Sequence, residues 1–196
     1  GLTLFVLILG VFFRFYQIKE IPLGLYPDEA MNGTNALEAI ETGVFKIFYP
    51  ENNGREGLFI NIQALSVWYF GNTPWALRGV SAAFGSLTIF GIWLLARELF
   101  LAKKKEDDEY SGNFASRLFI VREKTIIPIL ASFLAATAFW HINFSRIGFR
   151  AILVPFLSAF GIYFLLKGFR RGKILDFVVA GIFIGLGFHT YIAFRL

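Results

Sequence analysis

Runs of uncharged, mostly apolar residues recur at 79–96, 125–145, 151–166 and 177–194, and a fifth, 1–13, opens the chain and stops at Arg14. About 20 apolar residues cross the ~30 Å of a bilayer's hydrocarbon as a helix. The pattern predicts an all-α integral membrane protein, a polytopic helical bundle of about five spans. Between the first two runs the pattern changes. Pro27 followed by Asp28 and Glu29 marks a helix start, with proline in the first turn and acids where the helix dipole favours them. Ala30, Gly33, Leu37 and Ile40 then recur at spacings of three and four and Gly43 supplies a stop, which predicts a short helix over 28–42. After the turn-rich segment from Tyr49 to Gly54, Leu58, Ile62, Leu65 and Tyr69 share one helical face, with Asn61 and Gln63 off it. A second short helix, amphipathic and lying in the membrane interface, is predicted there, with Trp68 and Tyr69 at headgroup level and Gly71 as its stop.

Composition sharpens this picture. Of 196 residues, 56% are hydrophobic and 17% charged, against ~25% charged in ordinary soluble domains, and the 25 phenylalanines outnumber the 19 lysines and arginines together. Disorder and a soluble, basic nucleic-acid binder are excluded, so no nucleic-acid partner is expected. Without cysteine there is no disulfide, thiolate metal site or cysteine nucleophile, and two histidines, His141 and His189, leave little for a histidine-built metal centre.

The net charge of +5 matters less than where it lies. Eleven lysines and arginines fall in the loops 97–124 and 167–176. Basic loops stay in the cytoplasm. The loop of about 101–124 is therefore expected inside, and the first loop, about 14–74, outside a cytoplasmic membrane that the chain crosses several times. The turn carrying Arg146 and Arg150 falls on the outer side too. A start at Gly1 and an end directly after an apolar run give the expectation that 1–196 is the N-terminal part of a larger membrane domain.

The candidate chemistry clusters on that outer side. Asp28 and Glu29 are either acids complementing a helix dipole or a carboxylate base partly desolvated by its surroundings. Arg55, in Asn53-Gly54-Arg55-Glu56-Gly57, sits between glycines that permit close backbone approach to a ligand. Arg146 and Arg150 form an i, i+4 pair if their turn is helical, and either snorkel to the boundary or offer planar forks to a phosphate. The run Glu106-Asp107-Asp108-Glu109 beside three lysines reads as a solvated charge run. Asn32-Gly33-Thr34 and Asn143-Phe144-Ser145 match the glycosylation sequon by chance, given their positions.

Taken in order, Tyr26-Pro27-Asp28-Glu29-Ala30, a short helix, Asn53-Gly54-Arg55-Glu56-Gly57-Leu58 and Ala76-Leu77-Arg78 resemble the GT-C type of polytopic membrane glycosyltransferases. The protein O-mannosyltransferases and the bacterial aminoarabinose transferases, with uncharacterised bacterial relatives, are the nearest groups. Phe144 to Arg150 and Gly187 to Ala193 resemble the bacterial branch. Ala30, Met31 and Asn32 stand where aminoarabinose enzymes carry an arginine, and Glu56-Gly57 replaces a proline pair, which points to the uncharacterised relatives.

The resemblance implies inverting transfer of a hexose or pentose from a polyprenyl-phosphate donor to an acceptor glycan, lipid or protein. Asp28 then matches the catalytic aspartate, Glu29 its partner, and Arg55 a basic residue touching the donor phosphate. Arg146 and Arg150 would share that phosphate, with Glu56, His189 and Tyr191 as further substrate-binding residues. No cofactor is required, although a divalent cation would be compatible. The competing class is a non-enzymatic membrane protein, such as a lipid-linked glycan transporter or an assembly subunit. It would place charges in the middle of its spans.

Overall fold

A computed structural model describes residues 1–51, 53–107 and 114–195, with side chains described outside 101–125. The chain folds almost wholly into helices: α1 (Leu2–Phe15), α2 (Pro27–Thr42), α3 (Gly57–Phe70), α4 (Pro74–Asp107), α5 (Phe114–Thr137), α6 (Phe139–Arg146), α7 (Leu153–Arg171) and α8 (Ile174–Gly187). Single 3-10 turns at Arg150–Ile152 and Ile192–Arg195 precede α7 and follow α8. A departure from the all-α expectation is a two-residue hairpin, β1 (Phe48–Tyr49) against β2 (Arg55–Glu56), antiparallel with Tyr49 opposite Arg55.

The long helix α4 is the axis of the bundle and packs against α1, α3, α5, α6 and α7, while α8 packs on α7 and α2 on α3. Among the described residues, Pro74–Phe100 and Arg150–Arg171 are long and apolar enough to cross a membrane. The pair Ile126–Thr137 and Phe139–Arg146, bent by 56°, makes a third if it is one span. The other two expected spans are shorter. α1 and α8 have 14 residues each, about 21 Å at 1.5 Å per residue and short of the hydrocarbon thickness. The 177–194 run breaks after Gly187, where Thr190 Oγ1 donates to the Gly187 carbonyl and the chain turns.

Among the described residues many large apolar side chains are exposed while several charged ones are buried, the reverse of the trend in a water-soluble domain. Leu4, Phe5, Ile8 and Phe12 on α1, and Ile174, Leu175, Val178 and Ile182 on α8, are exposed, whereas Arg14, Glu29, Asn32, Arg55, Gln63 and Arg78 are buried. Contiguous exposed apolar faces of this kind suit lipid.

The expected loop 101–124 is partly helical, since α4 continues to Asp107 and α5 begins at Phe114. The acidic run 106–109 extends outside the described residues. The two short helices of the first loop form where expected, with Gly43 left-handed (φ 71°) at the end of α2 and Gly71 (φ 87°) after α3. Their buried faces differ from the expected ones. On α2 the buried residues are Glu29, Asn32, Asn35, Ala36 and Ala39, one position N-terminal to the apolar series. On α3 they are Gly57, Phe59, Ile60, Gln63, Ala64 and Val67, while Leu65, Trp68 and Tyr69 are exposed. In both helices polar residues point inward because partners wait for them there.

Candidate functional site

The site grows from the inner face of α2. Glu29 is 1% exposed, and its Oε1 accepts from Arg78 Nε at 2.8 Å while Oε2 accepts from Arg78 Nη2 and the Tyr26 backbone N–H, each at 3.3 Å. Arg78, in the first turns of α4, also donates to the carbonyls of Pro22 and Gly24. One guanidinium thus ties the chain leaving α1, the start of α2 and the start of α4. A buried ion pair of this kind needs its remaining hydrogen bonds satisfied. Here they are.

One turn on, Asn32 Oδ1 accepts from Arg55 Nη1 at 2.6 Å and Asn32 Nδ2 donates to the Gly148 carbonyl at 3.0 Å. Asn35 Oδ1 accepts from Arg55 Nη2, and Arg55 Nε donates to the Glu51 carbonyl at 3.3 Å. Arg55 is 1% exposed. Burial, and after it the nearby charge of Arg150, push its guanidinium below the ordinary value. It remains a cation at neutral pH.

The hairpin explains why the neighbours Arg55 and Glu56 serve different places, because successive strand side chains point to opposite faces. Glu56 Oε2 accepts from Arg150 Nη1 at 2.9 Å, and Glu56 Oε1 lies 3.1 Å from Arg195 Nη2. The Arg150 guanidinium sits 5.2 Å from the centre of the Tyr191 ring, within cation–π range. The flanking glycines approach their own chain and not a ligand. A Cβ on Gly54 would strike the Phe48 ring, and one on Gly57 would strike the carbonyl oxygen of Lys46.

Asp28, half-buried in the first turn of α2, lies within electrostatic reach of both Arg55 and Arg150. Glu51 Oε2 lies 4.0 Å from Arg55 Nη2, so Asp28, Glu51 and Glu56 balance the charges of Arg55, Arg150 and Arg195. Among the described residues no three histidines or acids converge as a metal-ligating group.

No family model, curated protein or solved structure matches the chain.

The structure brings together Asp28, Arg55, Glu56, Arg150 and Tyr191. It places Glu29 at the buried edge of that group, closed off by Arg78. Arg146 goes elsewhere. Its Nη1 donates to the carbonyls of Phe13 (2.9 Å) and Arg14 (3.3 Å), and its Nη2 to that of Ile21 (2.9 Å), so it satisfies the end of α1. The expected i, i+4 pairing with Arg150 does not form, because Ile147 and Phe149 are extended between α6 and the 3-10 turn. His189 is exposed in the turn after α8, and its side chain makes no hydrogen bond or ion pair among the described residues. The amide of Asn32 is buried, which closes that sequon to modification.

Sequence reasoning passed over Arg78, Asn32, Asn35 and Arg195 as site residues. The available signal was the polar series Glu29, Asn32 and Asn35 at spacings of three, which hydrophobic periodicity discards.

Proposed function

We propose that the protein is a membrane glycosyltransferase that moves a sugar from a polyprenyl-phosphate donor to an acceptor hydroxyl or phosphate, with Asp28 as general base. The observation that carries this reading is the half-buried carboxylate of Asp28 within electrostatic reach of two arginines, Arg55 and Arg150, at one end of an apolar helical bundle. Asp28 takes the acceptor's O–H proton as that oxygen bonds to the anomeric carbon. The carbon–oxygen bond to the donor phosphate breaks with its electron pair, releasing polyprenyl phosphate and inverting the anomeric centre. Negative charge grows on the departing phosphate, where preorganised cations act most strongly.

The roles follow from which donors remain. Arg150 spends Nη1 on Glu56 and stacks on Tyr191, which leaves its other nitrogens as donors for the phosphate in this reading. Arg55, with all three guanidinium nitrogens held by Asn32, Asn35 and Glu51, supplies fixed charge and no direct fork. Glu29 is a positioning residue, bound to Arg78.

A second feature supports a lipid-linked donor. An apolar cavity of about 530 Å³ lies between the end of α1, α3 and α4, with Phe15, Ile18, Ile62, Phe70 and Trp75 among its lining residues and Lys19 at its rim. It reaches Gly79 and Val80, next to Arg78 on α4. Part of a prenyl chain would fit this space. The transporter reading would be favoured by a charge in the middle of a span. The buried Arg14 lies instead in the last turn of α1, level with Arg146.

The test is consumption of polyprenyl-phosphate hexoses and pentoses by the purified protein in lipid, with released polyprenyl phosphate measured by mass spectrometry. Release that depends on an acceptor supports the reading. Binding of every donor without release of polyprenyl phosphate would support a carrier instead.

A further inference from the structure

At the opposite end of the bundle, α4 and α7 close round a small polar cavity of about 100 Å³ lined by Leu94, Arg97, Glu98, Tyr163, Arg170 and Arg171. Glu98 is 3% exposed, and both its oxygens are taken by Arg170, whose Nη2 donates to Oε2 at 3.0 Å and whose Nε donates to Oε1. That pair is neutral and bidentate. The next acid, Asp176 in the first turn of α8, is held by Lys167 at 3.1 Å. Arg97 rests 5.4 Å from the centre of the Trp93 ring. Among the described residues no carboxylate pairs with Arg97 or Arg171. Arg97 and Arg171, both exposed, therefore line with Tyr163 a hole that admits a phosphate-sized group but neither a sugar ring nor a lipid chain.

Its level in the molecule says where such a phosphate comes from. The two helices long and apolar enough to cross a membrane end their apolar stretches here, at Phe100 and Arg171. Leu99, Phe169 and Ile174, next to the cavity in sequence, are exposed apolar side chains. A phospholipid with its phosphate between Arg97 and Arg171 would lay its chains on them. We propose that this cavity binds the phosphate of an anionic phospholipid, clamping α4 to α7 at the membrane surface far from the Asp28 site.

The inference does not depend on the transferase reading, and its test reads lipid retention and not turnover. The purified protein is equilibrated with mixed phosphatidylglycerol and phosphatidylcholine, and the retained lipid is measured by native mass spectrometry. Preference for phosphatidylglycerol is expected. One arginine near an anionic surface contributes about fivefold, so Arg97→Ala with Arg171→Ala should lower that preference by roughly thirtyfold. The charge-matched pair Lys103→Ala with Lys104→Ala should leave it unchanged. Arg97→Gln with Arg171→Gln replaces the alanine pair should that pair fail to fold. Equal retention of both lipids, or equal losses in the arginine and lysine pairs, would overturn the site in favour of diffuse surface charge. Displacement of the lipid by inorganic phosphate at equal concentration would overturn the lipid source and leave a free-phosphate site.

Discussion

Arg78 and Glu29, 49 positions apart, meet at 2.8 Å with side chains 2% and 1% exposed. The closing of Arg78 on Glu29 separates two adjacent acids into different tasks. Glu29→Gln removes the partner of a buried cation, which typically costs about 3–5 kcal/mol. We expect a marked loss of thermal stability in detergent, and recovery of most of it when Arg78→Met accompanies Glu29→Met. A normally stable Glu29→Gln protein with impaired turnover would return Glu29 to direct chemistry.

Arg55 depends on two amide oxygens. Asn32→Ala or Asn35→Ala leaves a buried guanidinium N–H without an acceptor, at a cost of about 1–3 kcal/mol each. Arg55→Lys should be no better tolerated, since one ammonium cannot reach Asn32, Asn35 and the Glu51 carbonyl as the fork does. Unfolding midpoints of the three variants check this. A stable Arg55→Lys protein would show that the fork geometry is dispensable.

Arg146 and Arg150 should separate in double-mutant cycles. Arg55→Ala and Arg150→Ala act on one electrostatic group, so their effects on donor turnover should be non-additive by more than the ~0.5 kcal/mol seen for independent sites. Arg146→Ala, which removes a cap from the end of α1, should lower stability and combine additively with Arg55→Ala. Strong coupling between Arg55 and Arg146 would restore the expectation that these two share the phosphate.

Much of this was legible in the chain. The helix starting at Pro27 announces itself by its proline, its acids and Gly43, because those signals act locally. The grouping of Asp28, Arg55 and Glu56 was visible as chemistry without geometry. The inner face of α2 was not, because hydrophobic periodicity assumes that the buried side is the apolar one. Glu29, Asn32 and Asn35 are buried only because Arg78 and Arg55 come from elsewhere in the chain to meet them, and pairings over 20 to 49 positions leave no local trace. The division between Arg146 and Arg150 was hidden for a related reason. It depends on two extended residues, Ile147 and Phe149, within an otherwise helical stretch.

The sidedness of the chain is open to direct labelling, since it has no cysteine. Asn53 and Lys173 are exposed at opposite ends of the bundle. With Asp28 on the outer face, an impermeant thiol reagent applied to intact cells should modify Asn53→Cys and spare Lys173→Cys. The reverse pattern would put the Asp28 site in the cytoplasm and remove the reason for a lipid-linked donor.

The central claim is that Asp28 is a general base, and the most direct measurement is turnover of the accepted polyprenyl-phosphate sugar by Asp28→Asn beside the wild-type protein, at matched folded fraction. A general base contributes ~10²–10⁴-fold to rate, whereas a first-turn dipole contact contributes at most ~2 kcal/mol of stability. We expect turnover to fall by at least ~100-fold with the melting temperature nearly unchanged. Near-normal turnover in Asp28→Asn, or a loss matched by unfolding, would contradict the account.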